Sequence, residues 1–135
     1  MDETDYKILE ILKADARTTN NDIARRVKLT EGAVRNRIRH LLQSGVIRRF
    51  TIDSGPDQVE AIILIKTETR GSKEILKRLR RCTNRLFETA GAYDVAAHVT
   101  SENIQSINAT VDKLRSVNGV VSTVTLLKIA DDQLY

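Results

Sequence analysis

The chain is poor in the residues that staple or break a fold. Its 135 residues include one cysteine, Cys82, and one proline, Pro56. A lone cysteine excludes an intramolecular disulfide and a thiolate zinc site. Cys82 reads instead as a small apolar filler near the end of a helix. The two histidines, His40 and His98, lack carboxylate or cysteine neighbours at ligand spacing, so no metal site is expected. No apolar run approaches the ~20 residues needed to span a bilayer. The longest, Ala61 to Ile65, reads as a buried strand. There is no nucleophile–base signature, no glycine-rich phosphate loop and no pair of acids in a cleft context, so a non-enzyme without cofactor is expected. Met1 is followed by Asp2, Glu3 and Asp5 rather than a basic leader, and a cytoplasmic protein is expected. No internal repeat and no low-complexity tract is found.

What is present is basic charge, unevenly placed. Residues 1–50 hold 11 Lys+Arg and 7 Asp+Glu, whereas residues 51–135 hold 11 of each. The whole net charge of +4 therefore lies in the first part. Between Arg25 and Arg49 stand Arg25, Arg26, Lys28, Arg35, Arg37, Arg39, Arg48 and Arg49, with Glu31 as the only acid. Charge gathered this way on a short element suits a polyanion.

Hydrophobic spacing predicts three short helices there. The first runs from about Asp2 to Ala14, with acids in its first turn, where the helix dipole favours them, and Ile8, Leu9, Ile11 and Leu12 inward. The second follows a Thr19/Asp22 capping box and buries Ile23, Ala24 and Val27. The third starts at Thr30 as N-cap, places Val34, Ile38, Leu41 and Leu42 inward, and stops at Ser44-Gly45. Val46 to Ile52 reads as an extended strand. Two helices in tight succession make a helix-turn-helix core. On the third helix Gly32, Asn36, Arg39, His40 and Gln43 lie opposite the buried stripe, and Arg35 and Arg37 flank it. Small residues, an amide and guanidinium groups let a helix enter the major groove. The expected DNA-contacting set is Thr30, Gly32, Arg35, Asn36, Arg37, Arg39, His40, Arg48 and Arg49. Arg35, Asn36 and Arg39 are the base readers or near-base contacts, and Arg48 and Arg49 meet the backbone or minor groove. Arg37 has two readings, a phosphate contact or a brace within the fold.

The segment DSGPDQ, residues 53–58, has no apolar residue and reads as a linker between residues 1–52 and 59–135. Beyond it the pattern alternates. Val59 to Thr67 reads as a strand, Ser72 to about Asn84 as a helix and Leu86 to Ala90 as a short strand. Gly91-Ala92-Tyr93-Asp94 is a turn, Val95 to Val99 a strand, Ser101 to Val117 a helix with Ile104, Ile107, Val111 and Leu114 inward, and Val120 to Ile129 a last strand. The order β-α-β-β-α-β is the ferredoxin-like unit, giving an α+β chain. One sheet face is left without helices, and sheet-against-sheet homodimerisation is the simplest cover. An RNA-binding use of that sheet lacks its stacking platform, because neither the first nor the last strand holds an aromatic residue.

In this order and spacing the chain resembles the Lrp/AsnC, or feast/famine, family of transcription regulators. The resemblance is carried by MDETDYKILEILKADART, by NDIARRVKLTEGAVRNRIRHLLQSGVIRRF, and by GAYD with GVVSTVTLLKI. Where the family often carries a Leu-Asp-Pro segment and a Leu-Gly pair, this chain reads DSGPDQV. The resemblance implies a winged helix-turn-helix joined to a dimerising ferredoxin-like domain, amino acids as effectors, and dimers that assemble further, often to octamers. It also places the effector between dimers, near the Gly91–Asp94 turn and the last strand. The residues it points to are Gly91, Tyr93, Asp94, Thr123 and Thr125. An α-ammonium wants a carboxylate, which Asp94 can supply, and an α-carboxylate wants N–H groups or hydroxyls. Without the resemblance these residues read as a hairpin turn and β-favouring threonines. Some archaeal members serve lysine biosynthesis, which makes lysine one candidate effector.

The expectation is therefore a sequence-specific, effector-responsive regulator of double-stranded DNA. The alternative is a nucleoid-architectural protein with weak sequence preference. A basic helix from Lys73 to Arg85 is left over, as a solvated face or a second DNA contact.

Overall fold

The structure, a computed structural model, describes residues 1–54 and 58–132. Residues 55–57 of the expected linker lie outside the described residues. The chain divides into two compact units, Met1–Asp53 and Ser54–Tyr135.

The first unit holds three helices: α1 (Glu3–Ala14), α2 (Asn20–Val27) and α3 (Glu31–Gln43). Each start is fixed by a side chain that accepts from a free N–H of the first turn. Asp2 and Asp5 form a reciprocal capping box on α1, at 2.9 and 3.1 Å. Thr19 accepts from the Asp22 N–H at 3.1 Å, and Thr30 from the Ala33 N–H at 3.2 Å. α2 ends on Lys28, which stands in the left-handed region with φ 58°. That residue turns the chain toward Thr30. The core is Ile8, Leu12, Ile23, Ala24, Val34, Leu41 and Ile47. Burial of each large aliphatic side chain stabilises by about 1.5–3 kcal/mol. Leu42 lies outside that core and is exposed.

The wing segment differs from the sequence expectation. Residues 46–52 form no strand. The Ile47 N–H donates to the Leu41 carbonyl at 3.0 Å, and the Ile47 side chain seals the core beneath α3. A β-prone stretch becomes a strand only with a ladder partner, and among the described residues Arg48 to Ile52 has none in any sheet.

The second unit follows β1 (Val59–Thr67), α4 (Lys73–Arg80), β2 (Arg85–Glu88), β3 (Val95–Ser101), α5 (Ile104–Arg115) and β4 (Val120–Leu127). The sheet order is β2-β3-β1-β4 with antiparallel pairs, the ferredoxin-like arrangement. Both helices are shorter than their sequence patterns. α4 closes at Arg81, whose N–H turns back to the Leu79 carbonyl. β3 runs on through Ser101, so α5 is capped by Asn103 and Ile104 is exposed.

Alternation on β1 sends Ala61, Ile63 and Ile65 under the helices, where they meet Leu76, Leu79, Val95, Ala97, Val99, Ile107, Val111 and Leu114. The opposite face carries Ile62 and Leu64, with cross-strand partners Leu126 and Val124 on β4 and His98 and Ala96 on β3. Phe87 on β2 continues it beside Ala96. Ile62, Phe87, Val124 and Leu126 are all exposed there. No helix among the described residues is long and apolar enough to cross a membrane.

Candidate nucleic-acid interface

α3 presents Gly32, Arg35, Asn36, Arg39 and His40 outward, as its periodicity requires. Its N-cap Thr30 is exposed, and so are Arg48 and Arg49 beyond its end. Two of these exposed guanidinium groups are partnered. Arg35 pairs with Glu31 one turn earlier, and Arg39 donates to the Asn36 amide oxygen. The Arg35 guanidinium holds the Glu31 carboxyl below its ordinary range. Such i, i+3 and i, i+4 partners narrow the rotamers that a base-reading side chain must otherwise give up on binding.

Gly32 has open space where a Cβ would stand, and its φ is not positive. Neither packing nor backbone geometry demands glycine in the first turns of α3, where it costs about 0.5–1 kcal/mol relative to alanine. A bare patch at this place suits the close approach of a helix to the edges of a groove.

Arg37 behaves differently from its neighbours. Its Nη1 lies 2.7 and 2.8 Å from the Asp2 carboxylate oxygens and 3.0 Å from Asp5 Oδ1. Those carboxylates also form the capping box of α1. One cluster therefore caps α1 and ties it to the middle of α3. The Arg37 hydrogen bond, followed by the Asp5 N–H, keeps the Asp2 carboxyl below its ordinary range. The brace reading of Arg37 has this geometry behind it. Sequence spacing shows no trace of it, because the partners are separated by 32 and 35 residues.

Residues 1–48 match the family described as winged helix-turn-helix DNA-binding. The HTH-type transcriptional regulator LysM of Sulfurisphaera tokodaii is 44% identical over 127 residues, covering 91% of each chain. The fold of Escherichia coli AsnC superposes with a TM-score of 0.78 at 22% identity, covering 100% of this chain and 96% of that one. The chain belongs to the Lrp/AsnC family of transcriptional regulators. A further structural neighbour in that fold is a Neisseria meningitidis transcriptional regulator in complex with L-Met, with a TM-score of 0.78 at 21% identity, covering 99% of this chain and 93% of that one. The winged helix-turn-helix makes this Lrp/AsnC regulator a double-stranded DNA binder rather than an enzyme.

The turn expected to hold an effector is tightly laced. Asp94 Oδ2 accepts from the Thr67 N–H at 2.8 Å and the Thr67 hydroxyl at 3.1 Å, and Oδ1 lies 2.9 Å from Arg70 Nη2. The Thr67 N–H is the main cause of a lowered Asp94 pKa, helped by the Thr67 hydroxyl and Arg70 and opposed by burial. Arg70 also donates to the Gly91 and Thr89 carbonyls, at 3.1 and 3.4 Å. Gly91 has φ 126°, a conformation that disfavours any side chain. Tyr93 is half-buried, and its carbonyl accepts from the Thr89 hydroxyl at 2.8 Å.

Asp94 donates its N–H to the Ile65 carbonyl, and Thr123 pairs with Ile65 from the other side. Asp94 and Thr123 thus flank the same end of β1. Thr125 lies two residues farther along β4, opposite Ile63. The Thr123 hydroxyl accepts from Arg115 Nε at 2.9 Å. Arg70 and Thr67 are the residues that sequence reasoning missed in this region.

Proposed function

We propose that this regulator binds specific DNA sites as a homodimer and responds to an amino acid. The observation that carries the specific-site reading is the exposed α3 face, with Arg35, Asn36 and Arg39 already partnered and Gly32 bare. Thr30 and His40 border that face, and Arg48 and Arg49 add phosphate contacts beyond it. Arg37 acts on DNA indirectly, by holding α3 against α1. The domain reading is residues 1–52 for DNA, 53–58 as linker, and 59–135 for assembly and sensing.

Dimerisation is supported by the helix-free sheet face, with Ile62, Leu64, Phe87, Val124 and Leu126 on it. A second copy buries that face symmetrically. Two α3 helices then meet half-sites about one helical turn apart, and further assembly to octamers follows the family. The effector site is the Gly91–Asp94 turn with Tyr93, Thr123 and Thr125. Because the Asp94 carboxylate is already engaged by Thr67 and Arg70, its contribution is to fix the shape of the turn. The L-methionine complex of the Neisseria relative supports an amino-acid effector. Lysine is the first candidate.

A thermal-shift screen of the twenty amino acids tests the effector, since a ligand that binds only the native state raises its melting temperature. The expected result is a shift with one or a few amino acids, with the same ligands changing DNA affinity. No shift with any of them removes the effector reading. Competition with bulk genomic DNA tests specificity, and equal affinity for cognate and bulk DNA favours the architectural alternative.

A further inference from the structure

We propose that the outward face of α4 is a second DNA-contacting surface of this regulator, one that holds phosphates without reading bases. The proposal rests on four exposed cations, Lys73, Lys77, Arg80 and Arg81. At 3.6 residues per turn they fall within an arc of about 100°. The stripe that buries Ile75, Leu76 and Leu79 occupies the other side of the helix. Along the axis the four span about 12 Å at 1.5 Å per residue. Duplex DNA offers one phosphate charge per ~1.7 Å of its axis, so a straight cationic stripe of that length meets several.

None of the four has a carboxylate within ion-pair distance among the described residues. The only acid on α4, Glu74, is taken by Arg78 at 3.2 Å, and that pair stands at the border of the arc. The 51–135 segment balances 11 basic against 11 acidic residues, so the stripe is a local concentration and not part of a general excess. Unpaired cations at this density repel one another, and a polyanion relieves that repulsion while releasing its own counterions. The face offers no aromatic or amide group, and its two guanidinium groups, Arg80 and Arg81, have no partner among the described residues that would aim them at a base edge. Its partner is therefore the phosphate backbone of double-stranded DNA. The proposal rests on the reading of the chain as a binder of double-stranded DNA, and a longer fragment offers this face duplex outside the specific site.

The test uses the full chain with K73Q/K77Q/R80Q/R81Q. All four positions are exposed, so the variant should keep the parent's melting temperature. Affinity is measured against salt on a short duplex limited to the binding site and on a long duplex containing the same site. On the long duplex the slope of log K against log salt should fall by about 2–4, near 0.9 per lost phosphate contact. A charge-conserving variant, K73R/K77R/R80K/R81K, should restore the parental slope. An unchanged slope on both duplexes overturns the proposal and leaves α4 as a solvated face or a site for an acidic protein. A failed restoration overturns it too, because charge is then not the operative property. The regulator reading is judged separately, by whether the parent binds the short duplex at all and R39A does not.

Discussion

Two helices in this protein are strongly basic, and they hold their cations differently. On α3, Arg35 is paired with Glu31, Arg37 with Asp2 and Asp5, and Arg39 with Asn36. On α4, Lys73, Lys77, Arg80 and Arg81 have no such partner among the described residues. A partnered guanidinium has a direction and loses less freedom when it meets a base edge. A free ammonium or guanidinium supplies field without direction. Equal charge can therefore serve discrimination on one helix and adhesion on the other.

The sharpest way to break this comparison is to delete one cation from each helix. Arg39→Ala should weaken cognate binding roughly ten- to a hundredfold, as expected for a lost base-edge contact, with a much smaller effect on non-cognate DNA. Lys77→Gln should weaken both about equally, by a few-fold at most. Electrophoretic mobility shifts or fluorescence anisotropy on matched fragments would show it. Equal, sequence-independent losses would erase the distinction between the helices.

The ion pairs also predict a response to acid. The folded pKa values of Asp94, Asp2 and Glu31 lie below their ordinary values. A carboxylate held down in this way contributes stability above the ordinary range near pH 4. That contribution is lost as pH falls through the lowered folded values. Thermal melting from pH 7 downward should therefore show a decline that begins near pH 4 and steepens below it. In Asp94→Asn the starting stability should be lower and the acid-dependent part of the decline smaller. An identical decline in parent and variant would mean that Asp94 does not gain from Thr67 and Arg70.

Arg37 tests whether a cation on α3 can serve geometry alone. Arg37→Gln should lower the melting temperature by roughly a few degrees, a modest effect because the pair is partly exposed. It should also weaken DNA binding with an unchanged salt slope, and Asp2→Asn/Asp5→Asn should reproduce both changes. A slope lower by about 1 in Arg37→Gln alone would make it a phosphate contact. The smallest expected effect is at Gly32. Gly32→Ala should stabilise the fold by about 0.5–1 kcal/mol in denaturant melts while reducing cognate affinity. A stabilised variant with parental affinity would show that the bare patch is not approached.

Elements whose signals are local are legible in the amino-acid sequence. Thr19 and Thr30 sit at caps, Gly45 stops α3, and β1 alternates, so these elements run as expected. Three kinds of feature are not legible there. The wing residues Val46 to Ile52 have strand composition, but pairing is a property of a partner and not of the stretch itself. The ends of α4 and α5 depend on where β3 runs on and on the turn at Arg81 to Thr83. The side chains that fix the candidate sites act across the fold. Arg70 reaches Asp94, and Arg37 reaches Asp2 and Asp5, through approaches that only packing creates. The outward set on α3 follows from helical period alone, whereas the state of the Asp94 carboxylate does not follow from its place in a turn.

Lys28 closes α2 in a conformation that suits glycine and strains other residues by about 1–2 kcal/mol. Replacing it with glycine would release that strain while removing a cation from the stretch that runs from Arg25 to Arg49. A laboratory selection for thermostability should therefore drift toward Lys28→Gly. The turn between α2 and α3 is thus a place where the fold stores strain that a single substitution can release.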